Sequence, residues 1–256
     1  MDLDFQADGS LGLSMKGHIS EAIKDFGEDM NQHVSTPSSR KLFWIDDESP
    51  KLDEELADKF HSIIGRLLWV LKRGRPEIET AMSFLCTRIK EPTQQDWAKL
   101  RRLILFLHKT IDDERIIGAD NLSSLLTSVD AAYTEHGDMR SHTGGTMSMG
   151  TGILHGKSQR QKLNTKSSIE AKVVGVSKYS PYNIHFSMFM VGQGYPITTN
   201  TLLQDNESAI KMEQNGRSSC TSNSKHIHTR YFFVKDRVDK GELTIEYCLT
   251  EKMLAD

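Results

Sequence analysis

The stretch Asn164-Thr165-Lys166-Ser167-Ser168-Ile169-Glu170-Ala171 places one carboxylate at the start of a predicted helix, directly after a basic strand. A serine before an apolar run is typical of a helix N-cap, because its hydroxyl accepts from the free backbone N–H groups of the first turn. With Ser167 or Ser168 at that position, Glu170 lies in the first turn, beside the positive end of the helix dipole. Glu170 is then either the acid of a capping box or a functional carboxylate.

Three further acids lie where a predicted element ends or begins. Asp130 closes the apolar run 125–129, Asp205 ends the run 199–204, and Asp256 follows residues 250–255. Together with Glu170 they predict four carboxylates that converge over one sheet. Their spacings of 40, 35 and 51 residues are too long for a local metal loop, so the fold itself must bring them together. The alternatives are a turn residue for Asp130 and a helix cap for Asp205.

Five segments, in their order along the chain, resemble a known family. They are residues 138–145, 163–171, 204–210, 225–234 and 251–256. The chain resembles the C-terminal part of the Pol polyprotein of copia-type LTR retrotransposons, namely the end of the reverse transcriptase followed by the ribonuclease H domain. This resemblance extends over nearly all of the 256 residues.

The resemblance implies an α/β fold, a ribonuclease H-like domain with a five-stranded mixed sheet and flanking helices. A mainly helical thumb or connection region of the reverse transcriptase would precede it. The predicted parts are a hairpin, helix and loop in residues 1–50, the helical region in 51–110, a polar linker in 111–123, and a C-terminally truncated ribonuclease H-like domain in 124–256.

Within this frame the local patterns predict individual elements. Asp8-Gly9 between apolar residues predicts a hairpin, and helical periodicity predicts helices near 18–30, 53–73 and 76–91 and one from the capping pair Thr93 and Asp96 through Leu107. Strands are expected at 124–133, 146–154, 160–163, 198–204 and 243–247. Helices are expected from Ser168 towards Gly192, with a kink or break at Pro181, and at 206–215, at 228–240 and from 251 onward.

The function implied by the resemblance is hydrolysis of the RNA strand of RNA–DNA hybrids. Two Mg²⁺ ions, or Mn²⁺ in their place, can activate a water and stabilise the leaving oxygen at one phosphorus. By resemblance, Asp130 would bridge both ions, Glu170 and Asp205 would bind one, and Asp256 would complete the other. Mg²⁺ prefers oxygen ligands and keeps several waters, so a few carboxylates suffice.

Selection of the RNA strand requires contacts with 2′-hydroxyl groups across a wide minor groove. Four side chains in loops near the proposed site and two in the segment 225–234 are the candidates for substrate contact. The candidates are Arg140, Ser141, Asn164, Ser167, Lys225 and His226. For His226, capping of the helix that follows is the alternative.

The chain departs from the family pattern at several positions. Ile169 and Lys172 stand where the family usually has threonine and an acid, and Leu249 replaces a usual proline. Lys172 is expected to project to a different side of the helix from Glu170. The chain also stops at Asp256, where the family continues with a helix. A catalytically inactive remnant, at most a nucleic-acid-binding module, is therefore the alternative function.

DNA synthesis is not expected from this chain. Residues 43–47 (Phe-Trp-Ile-Asp-Asp) superficially resemble a reverse-transcriptase palm motif, in which a tight hairpin presents two aspartates to Mg²⁺. Here the acids continue into Glu48-Ser49-Pro50 without a returning apolar strand. The palm and fingers, together with other parts of Pol, are instead expected as partners.

Composition narrows the remaining possibilities. The net charge is −3, but residues 44–60 carry about −5 and residues 155–178 about +5, and a basic region near a metal site suits a polyanionic substrate. Three cysteines without a CxxC pair argue against a disulfide framework or a zinc site. No apolar run approaches the ~20 residues of a membrane helix. We therefore expect a soluble, intracellular protein without a membrane partner, in cytoplasmic virus-like particles or in the nucleus.

Overall fold

The computed structural model describes residues 1–216 and 228–255, and for residues 228–232 it describes the backbone only. The chain forms two compact units, Met1–Ile117 and Gly118–Asp256. The division between them falls inside the range 111–123 in which a linker is predicted.

A small antiparallel sheet belongs to the first unit. Strands β1 (Asp2–Phe5) and β2 (Leu11–Ser14) form the predicted hairpin, and Gly9 adopts a positive φ of 85° in its turn. Strand β3 (Arg115–Ile117) pairs with β2, so part of the predicted linker is a strand. Three residues are too few to show the alternation by which a strand is recognised in a sequence.

Four helices complete the first unit: α1 (Lys16–Phe26), α2 (Glu54–Arg73), α3 (Glu79–Leu85) and α4 (Gln94–Lys109). Short 3₁₀ turns at Pro76–Ile78 and Cys86–Arg88 flank α3. The predicted cap of α4 is present as a complete capping box between Thr93 and Asp96. Apolar residues of α1 and of α2 to α4 share one buried cluster, so the ranges 1–50 and 51–110 are not separate bodies.

A five-stranded mixed sheet forms the second unit. Its strands are β4 (Ser124–Ala132), β5 (His142–Ser148), β6 (His155–Arg160), β7 (Thr199–Gln204) and β8 (Thr244–Tyr247). They lie in the order β6-β5-β4-β7-β8. The first three strands along the chain are antiparallel, whereas β7 and β8 run parallel to β4. The predicted five-stranded mixed sheet is thereby confirmed.

The third strand of this sheet lies earlier than predicted, at His155–Arg160 instead of 160–163. Gly150 and Gly152 have positive φ values, 123° and 75°. An extended strand requires a negative φ, so β5 ends before these glycines. The apolar residues Ile153 and Leu154 then lead into the returning strand and do not extend the previous one.

In the described residues of the second unit, three helices accompany the sheet: α5 (Ser168–Gly192), α6 (Glu207–Asn215) and α7 (His228–Asp239). Pro181 lies inside α5 without ending it, although its missing N–H leaves the carbonyl of Ser177 without its usual helical donor. The last predicted helix is a 3₁₀ turn at Thr250–Lys252. Within the described ranges, no helix has both the length and the apolar character needed to cross a bilayer.

Close packing of α5 on the sheet depends on glycine. A Cβ atom at Gly145 of β5 would overlap the ring of Tyr179 on α5, and one at Gly175 would lie 3.2 Å from the side chain of Thr143. Glycine at these two positions lets the helix lie directly against β4 and β5. This contact fixes the position of the first turns of α5, where the candidate site begins.

Candidate active site

Strand pairing brings two of the predicted acids together. β4 and β7 pair in parallel with a constant offset of 75 residues, with Ser128 opposite Leu203 as the last pair. Asp130 and Asp205 each follow this last pair by two residues, at the same end of the two strands. Leu125 of β4 and Leu202 of β7 are fully buried. A shift of the pairing by one residue would turn such side chains to the other face of the sheet, so the core fixes this register.

The ammonium group of Lys172 lies between these two carboxylates. Its Nζ donates to Oδ1 of Asp130 and to Oδ1 of Asp205, each at 2.5 Å, so the two oxygens are at most 5.0 Å apart. The side chains of Lys172, Asp130 and Asp205 are only 13%, 15% and 11% exposed. The acid pair is thus arranged around a positive charge that α5 supplies.

The charge of this lysine is maintained against partial burial. Burial acts to lower the pKa of Lys172, but the hydrogen bonds and charges of Asp130 and Asp205 outweigh it and raise the pKa above its ordinary value. Lys172 is therefore protonated at neutral pH. Two carboxylates and one ammonium leave the trio with a net charge of −1.

The C-terminal segment borders the same acids. The Thr250 hydroxyl donates to Oδ2 of Asp205 at 3.1 Å. Gly144 lies opposite Asp130 in the sheet, and a Cβ atom there would overlap the carbonyl oxygen of Ala255. Glycine at this position therefore lets the segment that leads to residue 256 lie against β5, beside the acid pair.

Glu170 takes part in capping α5. Ser167 is the N-cap, and its hydroxyl accepts from the Glu170 backbone N–H at 3.2 Å. Oε2 of Glu170 accepts from the backbone N–H of Lys166 at 2.7 Å. This resembles the reciprocal arrangement of a capping box, except that the backbone donor to Glu170 is Lys166, one residue before the N-cap Ser167. Glu170 is 7% exposed and precedes Lys172 by two residues on the same helix.

The donors suit a hard divalent cation, because carboxylate oxygens of Asp130 and Asp205 already surround the ammonium as they would a metal ion. Among the described side chains, however, no group of three or more His, Cys, Asp or Glu residues is placed to hold a metal. Asp256, the fourth predicted acid, lies outside the described residues. In this arrangement the ammonium of Lys172 lies between the two carboxylates.

The proposed substrate-contacting residues have different surroundings. Arg140 pairs with Asp138 at 3.2 Å, and Asn164 is exposed. Ser141 is fully buried and shares a 2.8 Å hydrogen bond with Thr165, so the structure does not place it where a nucleic acid could reach it. Ser167 is exposed and used as the cap of α5. Lys225 and His226 lie outside the described residues.

The participation of Lys172 in this site was not predicted. The sequence predicts its direction only relative to Glu170, on a different side of the helix, and that prediction does not locate it relative to Asp130 and Asp205. The sequence nevertheless contains a signal for this role. Two acids brought together in partly buried positions need a counter-charge. Lys172 is a basic residue in the first turns of α5, the helix that packs over the acid pair.

A second polar cluster connects β5 and β6. His142 Nδ1 lies 3.0 Å from Nε2 of His136, and its Nε2 lies 2.6 Å from the hydroxyl of Ser158. Burial, and to a lesser extent the charge of His136, lowers the pKa of His142 to about 4. The ring is therefore neutral near pH 7 and serves as a structural hydrogen-bonding group.

Comparison with known sequences gives similarity over nearly the whole chain. A retrovirus-related Pol polyprotein from transposon TNT 1-94 of Nicotiana tabacum is 24% identical over 254 residues, which cover 96% of this chain and 19% of that protein. The Gag-Pol polyprotein of transposon Ty1-DR5 of Saccharomyces cerevisiae is 24% identical over an alignment of 272 residues, which covers 100% of this chain and 15% of that protein. No family model matches. The predicted resemblance to copia-type Pol polyproteins is confirmed, and the chain spans less than a fifth of these relatives.

The chain is also similar to solved structures. Ribonuclease H1 from Halobacterium salinarum aligns with 50% of this chain and 87% of its own, at 11% identity and a TM-score of 0.38. A foamy viral protease-reverse transcriptase in complex with an RNA/DNA hybrid aligns with 78% of this chain and 27% of its own, at 12% identity and a TM-score of 0.42. The strand order and directions described above give the second unit the predicted ribonuclease H-like fold.

Proposed function

We propose that the second unit is a ribonuclease H domain of retrotransposon origin that hydrolyses the RNA strand of RNA–DNA hybrids. The observation that supports this most strongly is the in-register placement of Asp130 and Asp205 at adjacent strands, with their carboxylate oxygens within 5.0 Å of each other. The sequence similarity to transposon Pol polyproteins supports the same function.

In this proposal Asp130, Glu170, Asp205 and Asp256 would hold two Mg²⁺ ions, or Mn²⁺ in their place. Bound divalent ions would supply an activated water and stabilise the leaving oxygen. Asp130 lies on β4 and Asp205 directly follows β7, so the paired strands hold both carboxylates in fixed positions. Lys172 must leave the acid pair for both carboxylates to be available.

The remaining groups of the proposed site would position the substrate. Among the predicted substrate contacts that the structure describes, Arg140, Asn164 and Ser167 are at least partly exposed near β5 and α5, and Ser167 also caps α5. The basic region 155–178, with a formal charge of about +5, would attract the phosphates of a hybrid. The reverse-transcriptase palm and fingers and other parts of Pol are the proposed protein partners.

Hybrid cleavage by the purified full chain tests the proposed activity. We expect Mg²⁺-dependent release of RNA fragments from a labelled RNA–DNA hybrid, and a loss of about a hundredfold or more in Asp130→Asn, because one carboxylate charge is removed at the reacting phosphate. Asp239→Asn, an exposed acid on α7, is the matched control and should cleave like the parent chain. Equal rates for the parent and Asp130→Asn would contradict the proposal.

A second function, hybrid binding without cleavage, is favoured by one observation. Lys172 neutralises part of the acid pair, and an ammonium at this position attracts phosphate as well as carboxylate. The two functions differ in their metal dependence. Binding of the hybrid measured by fluorescence anisotropy, without any metal-dependent cleavage of its RNA strand, would establish the non-catalytic function.

A further inference from the structure

The position of Lys172 has a consequence for metal binding that goes beyond the proposed activity. Its ammonium has three donors and no acceptor, and two of the donors are used on Asp130 and Asp205. Any cation that binds between these carboxylates must first displace the ammonium. The lysine side chain is long and flexible, so displacement requires only that it rotates outward towards solvent.

We infer that Lys172 is a resident cation that competes with divalent metal for the acid pair and thereby sets the metal concentration at which the site fills. This inference rests on the proposed function only for the identity of the site. It concerns metal affinity, which can be measured without any cleavage.

The geometry indicates that the Lys172 ammonium and a divalent cation compete for the two carboxylates and do not bind there together. Both carboxylates contact the ammonium at 2.5 Å and all three side chains are at most 15% exposed, so there is little room for water or for a second cation between them. An ammonium and a divalent ion at that distance from the same oxygens would also repel each other strongly. Occupancy by one therefore excludes the other.

Without the ammonium, the two carboxylates would face each other in a partly buried setting. Removing one member of such a group leaves uncompensated charge, which destabilises the protein until another cation arrives. A variant that lacks Lys172 is therefore expected to be less stable without metal and to gain more stability from metal than the parent chain.

The experiment is a titration of the metal-stripped full chain with Mn²⁺ alone, in which electron paramagnetic resonance measures the free ion. We expect Lys172→Met to bind Mn²⁺ about tenfold more tightly than the parent chain. Lys172→Arg keeps a cation at the acid pair and should retain the weak binding of the parent. The double variant Asp130→Asn with Lys172→Met should lose the gain, which would locate the effect at this acid pair.

Lys162→Met is the matched control for charge, because Lys162 is an exposed lysine of the same basic region. Its effect on Mn²⁺ affinity should stay below about twofold, since exposed charges are screened by salt. Equal Mn²⁺ affinity of Lys172→Met and Lys162→Met would overturn the inference. Thermal unfolding with and without Mn²⁺ gives a second measurement. If Lys172→Met does not fold without metal, Lys172→Gln takes its place.

The outcomes separate this inference from the proposed function. Tighter Mn²⁺ binding by Lys172→Met without hybrid cleavage by any variant would support the resident cation and contradict the ribonuclease activity. Absence of Mn²⁺ binding in every variant would overturn both the resident cation and the metal-dependent part of the proposed function.

Discussion

Individual polar residues of the second unit keep or lose their charge according to what surrounds them. Lys172 remains charged because two carboxylates compensate its partial burial. Burial, followed by the charge of His136, lowers the pKa of His142, so its ring is neutral near pH 7. Lys172 therefore places a positive charge at the candidate site, while the neutral ring of His142 links β5 to β6 through Ser158.

His142 should make stability depend on pH. In the unfolded chain its pKa is near the ordinary value of 6.5, whereas in the folded chain it is about 4. Below pH 6.5 the unfolded state therefore binds a proton that the folded state rejects, and the free energy of unfolding falls as the pH is lowered from 6.5 towards 4. The loss should be about 3 kcal/mol.

Urea denaturation between pH 4 and pH 7 measures this dependence. His142→Gln should flatten the profile, because the titrating ring is removed. His185→Gln, which changes an exposed histidine of α5, is the control and should keep the slope of the parent chain. A profile for His142→Gln as steep as that of the parent would show that other groups cause the pH dependence.

At the scale of elements, the contact of α5 with the sheet organises the second unit. Gly145 and Gly175 allow the approach of the helix, and Ser167 and Glu170 fix its first turn. Lys172 follows within that fixed part of the helix, so its position at the acid pair depends on the same contact. Backbone register and helix packing together therefore assemble the candidate site.

Gly145→Ala should destabilise the second unit. The added methyl group would overlap the Tyr179 ring, which is itself fully buried and cannot move aside freely. Overpacking of this kind costs about 1–3 kcal/mol. Gly137→Ala is the matched control, since a Cβ atom there meets nothing within 4 Å. Equal denaturation midpoints for the two variants would contradict the proposed role of Gly145.

Elements with strong local signals could be predicted from the sequence. The cap formed by Thr93 and Asp96, the hairpin around Gly9 and the long helix that begins after Ser167 all depend on residues close together in the chain. The predicted boundary between β5 and β6 is wrong, because the sequence does not show that Gly150 and Gly152 adopt a positive φ. The position of Lys172 required the pairing of strands 75 residues apart, which no local pattern contains.

At the scale of the whole molecule, the chain divides into two units with separate apolar cores. The cluster of the first unit includes Leu67, and that of the second includes Leu202, with no residue common to both. The candidate site lies entirely within the second unit. The helical unit therefore contributes none of the acids on which the proposed chemistry depends.

Core substitutions should act on one unit at a time. Leu67 and Leu202 are both fully buried, and truncation of either to alanine should cost about 2–5 kcal/mol in its own unit. Hydrogen exchange measured by mass spectrometry should show faster exchange in residues 1–117 for Leu67→Ala and in residues 118–255 for Leu202→Ala. Faster exchange throughout the chain in either variant would show that the two units unfold together.

The lysine between the two acids also has a consequence at the level of the gene. Lysine and glutamate codons differ at a single base, so one nucleotide substitution at position 172 would exchange the ammonium beside Asp130 and Asp205 for a third carboxylate. A chain that differs by that one base would have a negative charge where the ammonium now lies, at the centre of the site.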